Sequence, residues 1–359
     1  MPRPIAEQVV VITGASSGIG LAAARAAAHR GARVVLAARN ARDLEDAAAS
    51  IRQGGGEALA VPTDVADFAQ VGALARRAVD AYGRIDTWVN GAAVSLYGEF
   101  EDLAVDEVRR VMDVNFMGQV HGAKAALPHL EESGGALVCI GSVLSDRGVP
   151  LQTAYCASKH AIKGWLDGLR VELRRRRSPV RVTLVKPSSI NTPLFDKART
   201  HLGVQPRPLP PVYSVELAAE AVLHAAVSNE RDLIVGGAGA ALSLAERVSP
   251  KLVDLYARFL AFAGQRTARP KPADAPNNLF EPVSYDGGER GGSAEVGRSA
   301  YQPIAEHGTA AALVASALCG LGAWGIRRAD PSATAPAALL GAGALLLAGK
   351  ALLSAAYEG

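Results

Sequence analysis

Gln8-Val9-Val10-Val11-Ile12-Thr13-Gly14-Ala15-Ser16-Ser17-Gly18-Ile19-Gly20 takes a short β-branched run into a glycine-spaced turn, and alanine-rich sequence from Leu21 to His29 follows as a helix. Strand, turn and helix in that order make a seat for an anion. Gly14 permits the tight turn, Gly18 lets a pyrophosphate approach the backbone, and Gly20 lets helix and strand pack closely. The free N–H groups at the helix start then face the negative charge. The placement of the glycines, more than their number, points to a dinucleotide.

The same alternation continues outward. Apolar strands are expected at Arg33 to Ala38, Ala58 to Val61, Thr87 to Asn90, Ala136 to Ile140 and Val180 to Val185, with helical stretches between them. Near-continuous apolar strands separated by helices imply an α/β fold, a doubly wound parallel sheet covered on both faces. Such sheets bind ligands at the carboxyl edge. The helix between the last two of these strands starts near that edge and carries Tyr155-Cys156-Ala157-Ser158-Lys159. Its tyrosine and lysine, four residues apart, share a helix face. A phenol with an ordinary pKa of about 10 is a poor acid or base at neutral pH, and a fixed ammonium beside it would stabilise the phenolate.

Thr13-Gly-x-x-x-Gly18-x-Gly20, Asp64-Val65, Asn90-Gly91-Ala92-Ala93, Asn115, Ser142 and Tyr155/Lys159 stand in an order and spacing that resembles the short-chain dehydrogenase/reductase family over about residues 5 to 235. The resemblance implies a Rossmann fold and hydride exchange between a nicotinamide and a substrate carbon. It implies Tyr155 as general acid/base, Lys159 as the cation that tunes the phenol and holds the nicotinamide ribose, and Ser142 as a hydrogen-bond partner of the substrate oxygen. It makes Asn115 the support of a proton relay to Lys159. For isolated residues the plainer alternatives are a turn cap for Ser142 and a structural bond for Asn115.

On the cofactor side the resemblance assigns Gly14, Ser16, Ser17, Gly18, Ile19 and Gly20 to the pyrophosphate turn, Asp64 and Val65 to the adenine border, and Asn90 and Ala92 to the adenine ribose. Pro187, Ile190 and Thr192 are assigned to the carboxamide and nearby phosphate. After the second strand stands Arg39, where an NAD-preferring protein would usually carry an acid, so NADP(H) is favoured over NAD(H). Two departures from the family pattern are Ala93 and Ser188, each in place of glycine; serine adopts positive φ less freely.

Thr192 to Pro211 holds five prolines and reads as a substrate lid, with Leu194, Phe195, Leu202, Val204 and Leu209 as an apolar lining for a lipophilic carbonyl compound. Residues 1–238 form the expected catalytic domain, and residues 239–264 an amphipathic helix flanking the substrate side. On it Leu244, Val248, Leu252, Leu255, Phe259 and Phe262 share one face. Residues 265–307, rich in proline, glycine and charge, read as a flexible linker. Residues 308–359 read as a hydrophobic helical hairpin, with 18 uncharged residues from Thr309 to Ile326 and 17 from Ala333 to Gly349. At 1.5 Å per residue these runs fall just short of a hydrocarbon core of about 30 Å, so a membrane anchor and a buried or oligomerising hairpin both stand open.

The chain has 359 residues, 49% hydrophobic and 20% charged, with a net charge of +3. Apart from the run Arg174 to Arg177, which reads as a solvated helix end, its basic residues are dispersed, which argues against nucleic-acid binding. Cys139, Cys156 and Cys319 lack metal-ligand or CxxC spacing, so neither zinc nor disulfides are expected and a reducing compartment suffices. The N-terminus has no apolar h-region of an export signal. The expectation is a membrane-associated oxidoreductase with a cytoplasmic catalytic domain, acting between a secondary alcohol and a ketone or aldehyde, with homo-oligomerisation open. The competing class is a membrane scaffold or redox sensor that binds NADP(H) without turnover, and an intact proton-transfer set counts against it.

Overall fold

Every residue of Val9–Thr13 is buried, as a strand covered on both faces requires. In the computed structural model, which describes residues 2–297, 299 and 301, this strand is β1, an interior strand of a seven-stranded sheet. The others are β2 (Arg33–Ala38), β3 (Glu57–Pro62), β4 (Thr87–Asn90), β5 (Ala136–Ile140), β6 (Arg181–Pro187) and β7 (Asp232–Val235). Their order is β7-β6-β5-β4-β1-β2-β3, all neighbours parallel. The chain therefore winds outward from β1 to β3, returns, and winds outward again from β4. The reversal between β1 and β4 opens a crevice beyond their carboxyl ends.

Helices α1 (Gly18–His29), α2 (Ala41–Gln53), α3 (Phe68–Tyr82), α4 (Val105–Met112), α5 (Gly118–Ser133), α6 (Thr153–Arg175) and α7 (Val215–Val227) cover the two faces. Alternation along β1 divides the core: Val10 and Ile12 pack toward α1, α2 and α7, whereas Val11 packs toward α3, α5 and α6. Ala23, Ala24 and Ala27 of α1 lie in one cluster with Ala218, Ala221 and Val222 of α7, small side chains that let two helices approach closely. Asp67 caps α3 by accepting from the N–H groups of Ala69 and Gln70. Between α4 and α5 the helix passes through a π turn, Asp113–Met117, which holds Asn115.

Beyond β7 the structure departs from the sequence reading. The helix expected over 239–264 is broken into α8 (Gly237–Val248) and α9 (Pro250–Tyr256), because Pro250 has no N–H to continue the ladder, and a π turn, Ala257–Ala261, follows. Its faces are also reversed. Leu244, Val248, Leu255 and Phe259 are 51 to 77% exposed, while Val253, Ala257 and Ala261 are buried.

The described part of the expected flexible linker is packed against the catalytic domain. Arg266–Pro270 pairs antiparallel with Val204–Pro206. From there residues 272–297 run as a strap back toward β2 and the glycine turn, with Leu279 fully buried on the way. The expected hairpin at 308–359 lies outside the described residues. Among the described residues no helix is long and apolar enough to cross a membrane.

Candidate active site

A cavity of about 630 Å³ runs along the carboxyl edge of the sheet, from Arg39 at the end of β2, past the glycine turn, to Tyr155 on α6. Gly14 sits at φ +74°, and a Cβ there would stand 2.7 Å from the Ala92 backbone. A Cβ on Gly20 would stand 2.3 Å from the Gly14 carbonyl oxygen. Both positions therefore require glycine for a shape that brings α1, the turn and the β4 loop together. Thr13 Oγ1 completes the junction by accepting from the N–H of Gly91 at 3.0 Å. The result is a concave backbone cradle at a helix N-terminus, which fits the phosphates of a dinucleotide.

Ser16, Ser17, Gly18, Ile19, Gly20, Asp64, Val65, Ala92, Pro187, Ile190 and Thr192 all line this cavity. Asn90 does not. Its side chain is turned into the core, where Oδ1 accepts from Trp88 Nε1 at 2.9 Å and Nδ2 donates to the Gln119 carbonyl at 3.0 Å. Its place in the motif is thus one of holding α5 against β4, leaving Gly91, Ala92 and Ala93 to border the cavity. Ser188 takes no positive φ, so serine replaces glycine there without strain. Its Oγ accepts from the Gly239 N–H at 3.1 Å and ties the loop after β6 to α8.

Burial dominates the catalytic pair. Tyr155 is 9% exposed and Lys159 2%. Loss of solvent pushes the phenol well above its ordinary value, with Cys156 adding to the rise and a hydrogen bond with Ser142 acting against it. The same burial brings Lys159 down to about 8. Lys159 Nζ donates to the Ile140 carbonyl at 2.9 Å and stands 5.4 Å from the Tyr155 ring centroid. Burial thus moves the phenol in the direction opposite to the depression expected from the ammonium.

Ser142 fills the turn-cap role: its Oγ accepts from the Leu144 N–H at 3.0 Å as the cap of a short 3-10 turn, and it lies near enough to Tyr155 to work against the rise of the phenol. Asn115, fully buried, accepts from the Val94 N–H at 2.8 Å and donates to the Val94 carbonyl at 3.0 Å and to Ser158 Oγ at 3.1 Å. Ser158 in turn donates to the Tyr155 carbonyl at 2.7 Å. Asn115 therefore clamps the start of α6 to the loop after β4, and the side-chain bonds shown do not reach Lys159.

Beyond Tyr155 the cavity widens into an apolar chamber that includes Val143, Leu144, Val149, Leu209, Leu242 and Val253. Leu194 and Phe195 line it too, whereas Leu202 packs beside Tyr97 and Leu151, and Val204 joins the strand pair with Arg266–Pro270. Arg147, a cation in this wall, is neutralised by Glu246 at 3.0 Å and by Asp254.

At the opposite end the strap adds residues that no motif announced. Arg39 donates from Nη1 to the Phe280 carbonyl at 2.6 Å and from Nη2 to the Asn278 carbonyl at 2.5 Å. Burial and the nearby Arg110 lower its pKa, while Asp64 and Asp286 work the other way. Asp64 is ion-paired with Arg110 at 2.7 Å. Lys197 donates to Ser17 Oγ at 2.8 Å and pairs with Asp286 at 3.0 Å. The Gly18 N–H donates to the Gly288 carbonyl at 2.9 Å. Aperiodic segments fixed through backbone carbonyls leave no pattern in the sequence, so only the neighbouring cations could have hinted at these contacts.

A doubly wound sheet with a glycine cradle, and a Ser, Tyr and Lys grouped at its carboxyl edge, defines a nucleotide-dependent oxidoreductase scaffold. The short chain dehydrogenase family model matches residues 8–203, and the chain belongs to that family. It is similar to the uncharacterized oxidoreductase YxnA of Bacillus subtilis, 39% identical over 291 residues, covering 80% of each chain. Among solved structures it is similar to a short chain dehydrogenase/reductase of Burkholderia phymatum in complex with NAD. That match has TM-score 0.63 and 26% identity, covering 68% of this chain and 94% of the other. An alcohol dehydrogenase of Thermococcus sibiricus complexed with 5-hydroxy-NADP matches with TM-score 0.56 and 26% identity, covering 63% and 95%.

Proposed function

We propose that the protein is an NADP(H)-dependent oxidoreductase that interconverts an alcohol and the corresponding carbonyl compound, a secondary alcohol with its ketone or a primary alcohol with its aldehyde, on a lipophilic substrate. The observation that carries this reading is the position of Tyr155, with Ser142 and Lys159, where the dinucleotide cradle meets the apolar chamber. When bound, the nicotinamide cofactor supplies or accepts the hydride. The chain does the rest. Neutral Tyr155 gives its proton to a carbonyl oxygen during reduction and takes it back in the reverse direction. Ser142 holds that oxygen, and Lys159 stabilises the phenolate left after the proton has gone. Leu144, Leu209 and Leu242 exclude water from the reacting carbon.

Preference for NADP(H) is supported by Arg39 and Arg110, two guanidinium groups gathered at the β2 end, where Asp64, Asp286 and Glu281 are the acids that act on Arg39. A guanidinium suits a 2′-phosphate through bidentate hydrogen bonding. Membrane association through residues 308–359 belongs to the same reading and is supported by the uncharged runs in that sequence.

The test is purified protein screened against lipophilic ketones, aldehydes and alcohols by NADPH absorbance, with Tyr155→Phe beside the parent. Loss of at least 10³-fold in kcat with NADPH binding retained is expected. A Tyr155→Phe variant as fast as the parent would sink the assignment.

A further inference from the structure

On the outer side of the substrate chamber the chain turns large apolar side chains to solvent. Leu244 and Val248 stand one turn apart on α8, and Leu255 and Phe259 one turn apart along α9 and the π turn, all four exposed. Tyr256, Leu260 and Phe262 extend the same stretch, at 39 to 55% exposure. The two helices pack against each other, and their inner side, with Leu242, Val253, Ala257 and Ala261, walls the chamber. So much apolar surface gathered on one stretch marks an interaction site. Its charges say of what kind. The acids of residues 237–264 are Glu246 and Asp254, and both are engaged by Arg147. Arg247, Lys251 and Arg258 are exposed and make no ion pair among the described residues. Arg258 lies over the Phe259 ring, 5.6 Å from its centroid, so cationic and apolar side chains are interleaved.

That mixture suits the headgroup layer of a membrane, where apolar side chains enter the acyl boundary and long basic stems reach back to phosphate. Two other occupants lack the complementary charge. Residues 308–359 hold Asp330 and Glu358 against Arg327, Arg328 and Lys350, and a second copy of this face would bring cation to cation. We propose that the face formed by α8, α9 and the π turn seats on an anionic bilayer surface. The chamber walled by the same helices then lies about 10 Å, one helix diameter, from the lipid. Entry of a lipophilic substrate from that side rests on the function proposed above. Contact of this kind is reversible and weakened by salt, so it orients the domain without anchoring it.

The experiment uses the full-length chain with Cys319→Ser, Cys139 and Cys156 being buried. A polarity-sensitive thiol dye is placed on Val248→Cys or, as control, on the similarly exposed Val105→Cys of α4. Vesicles of phosphatidylcholine, with or without about one third phosphatidylglycerol, are titrated in at low salt. The dye at Val248 should shift to the blue with the anionic vesicles only, and the dye at Val105 should not shift. Arg247→Gln, Lys251→Gln and Arg258→Gln together should raise the lipid needed for half the shift by at least about tenfold. Equal response to both vesicles, a response at Val105 as large as at Val248, or a triple variant that responds like the parent would overturn the proposal. So would a dye at Val248 that is blue before lipid is added: unchanged on dilution of the protein, it places residues 308–359 over the face, and lost on dilution, a second copy. Neither cofactor nor turnover enters this readout, so failure of the proposed oxidoreductase activity registers separately.

Discussion

Replacing Arg39 by alanine isolates the charge that the proposed preference for NADP(H) rests on. The guanidinium lines the dinucleotide cavity and is half-buried, held by the carbonyls of Asn278 and Phe280. A unit charge pair about 4 Å apart interacts by about 4 kcal/mol at an effective dielectric near 20. Partial exposure, and the competing demand of Asp64 on the same positive field, reduce the net to about 2 kcal/mol, the scale of a charge-assisted hydrogen bond. That corresponds to about 30-fold in Kd. NADH, which lacks the 2′-phosphate, should bind the variant within about twofold of its affinity for the parent. Fluorescence titration of both cofactors into both proteins gives the four numbers. If NADPH affinity changes by less than about threefold, Arg39 does not meet the phosphate. If NADPH and NADH weaken together, the arginine acts by seating the strap, and the electrostatic reasoning fails.

Lys159, brought down to about 8 by burial, is protonated below that pH and neutral above it. The parent should therefore lose kcat/KM as pH rises through about 8, whereas Lys159→Arg, slower overall, should show no such limb up to about pH 10; a limb in the same place in both would assign it to another group. For the C-terminal segment, the full chain should sediment with membranes after cell lysis, and a chain ending after Ser299 should stay in the supernatant. A full chain found entirely in the supernatant removes the anchor.

What the sequence discloses here is what local chemistry specifies. The glycine turn is legible because a backbone close to Ala92 leaves no room for a side chain at Gly14, and the Tyr155/Lys159 pair because helical spacing fixes which side chains share a face. Asn90 shows the limit: its position in a motif places the backbone at the cavity but not its side chain, which β4 turns into the core. The bulky stripe on α8 and α9 misleads for a different reason. Amphipathic reading assumes that large apolar residues face inward, yet here a cavity needs room, so small residues such as Ala257 and Ala261 line it and Val248 and Phe259 are left outside. The strap is illegible because it is seated by single residues, Leu279 in the core and Asp286 on Lys197, with no period between them.

Topology also sets the order in which the site comes into being on the ribosome. The sheet is complete once β7 has emerged, and at that moment the glycine cradle, Tyr155 and Lys159 already stand along its edge. The chamber wall from α8 and α9, and then the strap with Asn278, Asp286 and Gly288, are synthesised afterwards. A nascent chain thus presents an open cleft first and encloses it last, so a dinucleotide present during synthesis can enter without anything being moved aside. In the finished protein Asn278, Asp286 and Gly288 of the strap hold Arg39, Lys197 and the glycine turn.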